Sequence, residues 1–332
     1  MIVLMKKFSS QIVAVCVFLL TLLIAPYYVE GDQHWYIIAY NELSDLGLVE
    51  GYESYQNMVG SKEYIHYLLI RLASGLGVEK DVFVGISNAF LAYFAMKLFE
   101  KWKVSVFVAM SIVLTNFYMV VMYFAAERLK FGFIFLVLSM MYVGSNKRFY
   151  ALAFLAVSAH VQVLVMYASI LFNHLFRAVA RFARTLRISV KGIVLPLLLL
   201  VPLAFLAEYM YLKAVYYFAL ANAKDASDLI RIVLLLILSL WYSKNKKETF
   251  LLFIPMILAV FIVGADRINM MGYFVFLYYG LQYRGGQNLG VLATSAYFAF
   301  KSYYFVSDII EYGNGFENVL NQLNNITRSI YA

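Results

Sequence analysis

Apolar runs of about 20 residues recur along this chain, and a run of that length with few charges crosses the hydrocarbon core of a bilayer as one α-helix. No other feature restricts the fold as much, because only helices and closed barrels satisfy all their backbone polar groups in lipid. A barrel would show alternating segments of about ten residues, whereas these runs are unbroken. Of 332 residues, 64% are hydrophobic and 14% charged, against about 25% charged in soluble domains. The expected fold is all-α, a polytopic transmembrane helical bundle, with residues 1–332 forming a single integral membrane domain.

The hydrophobic pattern predicts about ten spans, near 9–28, 81–100, 104–124, 126–144, 149–172, 190–212, 228–243, 249–264, 267–283 and 289–306. The stretch 64–76 carries His66 and Arg71 and is too short and polar to cross; it reads as an interfacial or re-entrant helix within an external segment, 30–80. Residues 30–63 and the polar tail 307–332 are expected to be non-helical. The first run follows Lys6 and Lys7 as a signal peptide would. No small-x-small cleavage site follows convincingly, so it is expected to stay as an anchor.

Loop charges orient the bundle. Lys6 and Lys7 precede the first span, and the segment after it is acidic (Glu30, Asp32, Glu42, Asp45, Glu50, Glu53), which puts the N-terminus in the cytoplasm. Lys97 to Lys103, Lys147 with Arg148, and Lys244 to Lys247 then fall inside, and Asp308, Glu311 and Glu317 outside. The basic amphipathic segment 174–191, with Arg177, Arg181, Arg184, Arg187 and Lys191, breaks this order. Either the preceding span is re-entrant, or the segment is an external helix resting Leu175, Phe176, Val179, Phe182 and Leu186 on the membrane, its arginines toward anionic groups. The net charge of +8 is spread over such loops. Membrane orientation accounts for it, and nucleic acid is not an expected partner. The lone Cys16 excludes an intramolecular disulfide.

The sequence has no Gly-rich phosphate loop, HExxH, CxxC or DxD motif, so no cofactor and no metal are expected. An enzyme built on it would stabilise negative charge with its own cations. Glu63, Arg128, His160 and Arg267 lie inside or beside the apolar runs, where a charge costs roughly 2.5–3.5 kcal/mol at a helix centre and commonly marks a polar cavity with a function. His160 is expected in the middle of the 149–172 helix, on a face with Ala153, Ala156, Val157, Val163, Leu164 and Tyr167. It reads as a satisfied structural histidine, a proton donor or a cation for a phosphate oxygen. Arg128 and Arg267 follow Glu127 and Asp266. Each reads as a snorkelling arginine neutralised by its neighbour or as a guanidinium clamp for phosphate.

The order of these residues carries a resemblance. An acidic segment with Asp32, Tyr36 and Tyr40 comes first, then Glu63-Tyr64 opening a short helix that ends Ser74-Gly75-Leu76-Gly77, then Arg128. Lys147-Arg148 and a helix with Ala159-His160 follow, and then Asp266-Arg267-Ile268 with Tyr273-Phe274 five residues on. The chain resembles the EpsG/Wzy family of polysaccharide polymerases of O-antigen, capsule and exopolysaccharide biosynthesis. Family members often have proline after the glutamate and glutamine after the arginine, where this chain has Tyr64 and Leu129. The resemblance implies a GT-C-like, metal-independent glycosyltransferase of the bacterial inner membrane, with its active site toward the periplasm or exterior. It would move a growing glycan from undecaprenyl diphosphate to the non-reducing end of a lipid-linked repeat unit, with a chain-length co-polymerase and a flippase as pathway partners. It implies Glu63, Asp32 and His160 as catalytic candidates, Arg128, Arg267, Arg181 and Arg184 for the diphosphate, and Tyr64 and Tyr273 for sugar. An O-antigen ligase, a lipid-linked oligosaccharide flippase or carrier, and a membrane acyltransferase acting on surface sugars are the alternatives.

Overall fold

The computed structural model describes residues 2–143, 146–185, 211–212, 215 and 227–316. Among them every regular element is helical. In chain order these are α1 (Ile2–Ile24), α2 (Asp32–Glu42), α3 (Leu48–Val59), α4 (Tyr64–Gly75), α5 (Lys80–Lys101), α6 (Val106–Thr115), α7 (Phe117–Phe124) and α8 (Glu127–Met141). There follow α9 (Asn146–Ala159), α10 (Val163–Thr185), α11 (Ser227–Tyr242), α12 (Lys246–Val263), α13 (Ala265–Gln282) and α14 (Leu289–Tyr312). Among the described residues three helices are long and apolar enough to cross a membrane: Phe8–Tyr27, Lys80–Lys101 and Val163–Thr185. The pair α6 and α7, bent by 47°, makes a fourth if it is one broken span.

The chain forms two compact units. Unit 1 comprises Met1–Lys97, Val106–Phe131 and Ala293–Ala332; unit 2 comprises Leu98–Ser105 and Gly132–Leu292. In unit 1, α1 gives way to a 3-10 turn over Ala25–Tyr27, where Pro26 has no N–H to continue the helix. The helices α2, α3 and α4 then pack on one another around Ala39, Tyr40, Leu43, Tyr55, Tyr67, Ile70 and Ala73. This corrects the expectation that 30–63 is non-helical: Tyr36, Ala39, Tyr40 and Leu43 are buried at i, i+3, i+4 and i+7, a helical face hidden in a stretch whose acidic residues suggest a loop. Helix α14 likewise runs beyond residue 306 to Tyr312. Past its end, Gly313 adopts φ +70, a conformation open to glycine without strain, and its carbonyl accepts the N–H groups of Val29 (3.2 Å) and Glu30 (3.0 Å).

Two apolar runs that read as single helices are broken. Asn116 interrupts 104–124 and caps α7, its side chain accepting the Tyr118 N–H at 3.1 Å. In unit 2, α9 ends at Ala159 and α10 begins at Val163, so His160 occupies a break rather than mid-helix. Its predicted face is nonetheless buried, from Ala153 to Tyr167. Also in unit 2, α11 packs on α12 and α13, α12 on α13, and α10 on α12. The expected span 190–212 lies almost wholly outside the described residues, as do 186–191 of the basic segment and the tail from 317.

Candidate functional site

In unit 1, three helix starts bring acidic and cationic groups together. Arg128 is the second residue of α8, Asp32 opens α2, and Glu63 is the residue before α4. The Arg128 guanidinium donates through Nε to Tyr36 Oη at 2.8 Å. Its Nη1 lies 3.6 Å from Glu63 Oε2 and its Nη2 3.8 Å from Asp32 Oδ2. Ser61 Oγ donates to Glu63 Oε2 at 3.0 Å and receives the Glu63 N–H at 3.2 Å. Burial divides the two carboxylates: the Glu63 side chain is 3% exposed and that of Asp32 68%. Glu63 therefore fixes the guanidinium from within, while Asp32 stands at the solvent side. Burial also raises the Tyr36 phenol above its ordinary range, so the ring keeps its proton while its oxygen accepts from Arg128.

Glu127 does not neutralise Arg128. One turn of helix puts Glu127 and Lys130 on a common face, and both are buried, at 2% and 0% exposure. Lys80 Nζ approaches Glu127 Oε1 at 3.6 Å and donates to Gln33 Oε1 at 2.7 Å, and Gln33 Nε2 donates to the Phe124 carbonyl at 2.6 Å. Lys130 Nζ donates to Asn88 Oδ1 at 2.8 Å, and Asn88 Nδ2 donates to Thr21 Oγ1 (3.0 Å) and the Tyr123 carbonyl (2.9 Å). His66 closes the network. Its Nδ1 pairs with Tyr55 Oη at 2.7 Å and its Nε2 faces Glu127 Oε2 at 4.0 Å. Burial lowers its pKa to about 3 despite the opposing carboxylate, so at neutral pH the imidazole is uncharged and accepts the Tyr55 proton at Nδ1. Sequence reading missed Lys80, Asn88 and Lys130. The available signal was the i, i+3 spacing of Glu127 and Lys130 and a lone asparagine in an apolar helix.

Unit 2 holds the other predicted residues apart from Tyr64. His160 Nε2 and the Gln162 side-chain amide lie 3.0 Å apart. With the amide nitrogen turned to His160, the Gln162 oxygen accepts from Arg267 Nε at 3.2 Å and from Nη1 at 2.5 Å. His160 and Gln162 are buried, Arg267 exposed at the start of α13. Asp266 pairs with Arg231 (3.0 Å) instead of its neighbour. Arg177 pairs with Glu248 at 2.8 Å, and Arg184 is exposed near the end of α10. The Arg181 side chain lies outside the described residues. Tyr64, half exposed, meets the Tyr52 ring edge-on at 5.1 Å beside Glu63, whereas Tyr273 is fully buried among Phe274 and Phe276.

The structure thus brings Asp32, Glu63 and Arg128 into one cluster and His160 and Arg267 into another. The first is a guanidinium whose three nitrogens face Tyr36, Glu63 and Asp32, of which Asp32 is the exposed one. Chemically it can hold an anionic group and accept a proton beside it. Among the described residues no group of three or more His, Cys, Asp or Glu side chains is placed to hold a metal ion. Comparison with known proteins finds no matching family model, no matching curated protein and no matching solved structure.

Proposed function

We propose that the protein is a membrane glycosyltransferase of the Wzy polymerase type, lengthening a lipid-linked glycan at the outer leaflet of a bacterial inner membrane. The observation that carries the reading is the meeting of Asp32, Tyr36, Glu63 and Arg128, nearly 100 residues apart in sequence, around one guanidinium. On this reading the bundle has about ten spans and a GT-C-like arrangement, with α2, α3 and α4 outside.

The reaction requires the acceptor hydroxyl to attack the anomeric carbon of the growing glycan while the bond from that carbon to the lipid diphosphate breaks. The electron pair leaves with the diphosphate, and Arg128 balances the charge that develops there. Asp32, the exposed carboxylate, takes the acceptor proton, and Glu63 with Tyr36 holds the guanidinium in place. Tyr64 offers an aromatic face to sugar beside the cluster. Within unit 2, Arg267, met by Gln162 beside His160, and the exposed Arg184 are cations that suit a phosphate group.

The test is a ladder gel of surface glycolipid from cells lacking this gene, restored with the wild type or with Arg128→Ala. The wild type should give a ladder, and Arg128→Ala only the band carrying one repeat. Long polymer from Arg128→Ala at normal protein level would refute the reading. Loss of every repeat-bearing band when the gene is absent would point to a flippase or ligase, and an unchanged ladder to acyl transfer.

A further inference from the structure

The break at His160 in unit 2 decides where the basic end of α10 lies. Helix α9 has 14 residues, about 21 Å of rise, and falls short of a hydrocarbon core about 30 Å thick. Helix α10 then doubles back on it. The rings of Phe149 and Tyr167 lie 6.2 Å apart, whereas one continuous helix would separate those residues by about 27 Å. Helix α8 fixes the direction. Its Gly132 faces His160 and Val163, and two turns on, Ser139 Oγ lies 2.7 Å from Tyr167 Oη. Helices α8 and α10 therefore run the same way, and α9 runs against them.

Both arms reach one plane. Lys147 lies about 18 Å from Ala159 along α9, and Arg177 about 21 Å from Val163 along α10. There Arg177 pairs at 2.8 Å with Glu248, in the first turn of α12 and next to Lys244, Lys246 and Lys247, all exposed. Trp241, 80% exposed at the end of α11, stands at the same end, as tryptophans do where hydrocarbon meets headgroups. Past the buried Asn173, α10 exposes Phe176, Val179 and Phe182 as well as Arg177 and Arg184. Helical spacing sets those apolar side chains on one face and the two arginines on the other.

We propose that α9 and α10 form a re-entrant hairpin with His160 to Gln162 at its tip, and that the basic end of α10 binds anionic phospholipid headgroups on the membrane face carrying Lys147 and the Lys244 loop. Loop charge makes this the cytoplasmic face. Charge complementarity selects the partner: Glu248 is engaged by Arg177, while Arg184, Lys244, Lys246 and Lys247 are exposed beside it. An apolar strip backed by cations suits a surface with hydrocarbon below and phosphate above. The 149–172 run then contributes no crossing of its own. The proposal is independent of the glycosyl-transfer reading.

Two readouts on the full chain test it. In a Cys16→Ala background, Thr185→Cys, at an exposed position, should react with an impermeant maleimide only after spheroplasts are permeabilised. Reaction in intact spheroplasts, or none after permeabilisation, overturns the hairpin and with it the proposal. Native mass spectrometry of the purified chain, titrated with dioleoyl phosphatidylglycerol or dioleoyl phosphatidylcholine, reads the partner. The wild type should retain phosphatidylglycerol in preference, and Arg184→Gln and Lys247→Gln should each weaken that retention about fivefold. Lys62→Gln, exposed in unit 1, should leave it unchanged, and monodisperse elution checks the fold of all three. Equal retention of the two lipids by the wild type would leave this face to a protein partner. Wild-type retention in Arg184→Gln and Lys247→Gln, or an equal loss in Lys62→Gln, would place the lipid elsewhere. Each of these results overturns the proposal.

Discussion

Arg128 sits where three groups distant in sequence converge, and its loss should have two separable effects. Arg128→Ala removes the cation 3.6 Å from Glu63 Oε2, a side chain 3% exposed, and breaking a buried ion pair costs about 3–5 kcal/mol. The variant should therefore melt well below the wild type in detergent, and the double variant Arg128→Met, Glu63→Gln should recover part of that loss. If the double variant merely summed the two single losses, the pair would not be coupled. Arg128→Lys keeps the charge but loses the Nε donation to Tyr36, so it should keep more stability than Arg128→Ala yet little activity. His66 makes stability depend on pH. Its folded pKa of about 3 lies below the ordinary histidine value of 6.5, so the unfolded chain binds the proton more readily between those values. Stability is then fully present above pH 6.5 and falls on acidification by about 1.4 kcal/mol per pH unit; His66→Gln should flatten that part of a melting series. At this scale the sequence exposed the principal charges but not their partners. Glu127 and Asp266 look like the natural counter-ions of Arg128 and Arg267, yet successive helical residues diverge by about 100°, and each carboxylate serves a different cation. Lys130 and Asn88 were invisible because a lone polar residue in an apolar run has no partner until the helices meet.

The helices were legible where the apolar run is uniform, as in α1 and α5, and misread where a run hides a stop. Hydrophobicity continues across Asn116 and across His160 to Gln162, so a window average passes over both breaks. Only the residue types give them away: an asparagine suited to capping, and two side chains able to satisfy each other. Replacing Asn116 by Ala removes the cap on α7 and should lower stability by about 0.5–2 kcal/mol, read as a melting shift; an unchanged melt would show that tertiary packing holds the bend. The second break is backed by Gly132 of α8. A Cβ there would meet Val163 Cγ2 at 2.8 Å and His160 Cβ at 3.0 Å, and the latter cannot move without the backbone. Gly132→Ala gains about 1 kcal/mol of helix propensity but should lose more to overpacking, giving a net loss together with a shifted His160 NMR signal. The opposite holds at α2 and α3, where a stretch expected to be non-helical carries a helical face of spaced tyrosines. No periodicity in one chain segment could reveal that the short helices α2, α3 and α4 would pack together and bring Asp32 and Glu63 to one arginine.

At the scale of the molecule, the proposed orientation, with the span before the basic segment re-entrant, puts α2, α3 and α4 outside and the Lys244 loop inside. Cysteine exchange tests it in a Cys16→Ala background, since Cys16 is the chain's single cysteine. Glu50→Cys should react with an impermeant maleimide in whole spheroplasts, and Lys244→Cys only after permeabilisation; the reverse pattern would invert the topology. Both positions are exposed. The apolar character of the chain was plain from its sequence, whereas its partition into units was not, because unit 1 is assembled from three separated stretches. That partition bears on biosynthesis. The last stretch supplies the Ser302 hydroxyl to the Thr115 carbonyl, the Phe305 ring against Phe117, and the Gly313 carbonyl to Val29 and Glu30. A chain emerging from the ribosome N-terminus first reaches residue 289 with unit 2 nearly all synthesised and these contacts still missing. The early helices must therefore wait for α14, and a prematurely terminated product would leave the Thr115 carbonyl, the Phe117 ring and the Val29 and Glu30 N–H groups without these contacts.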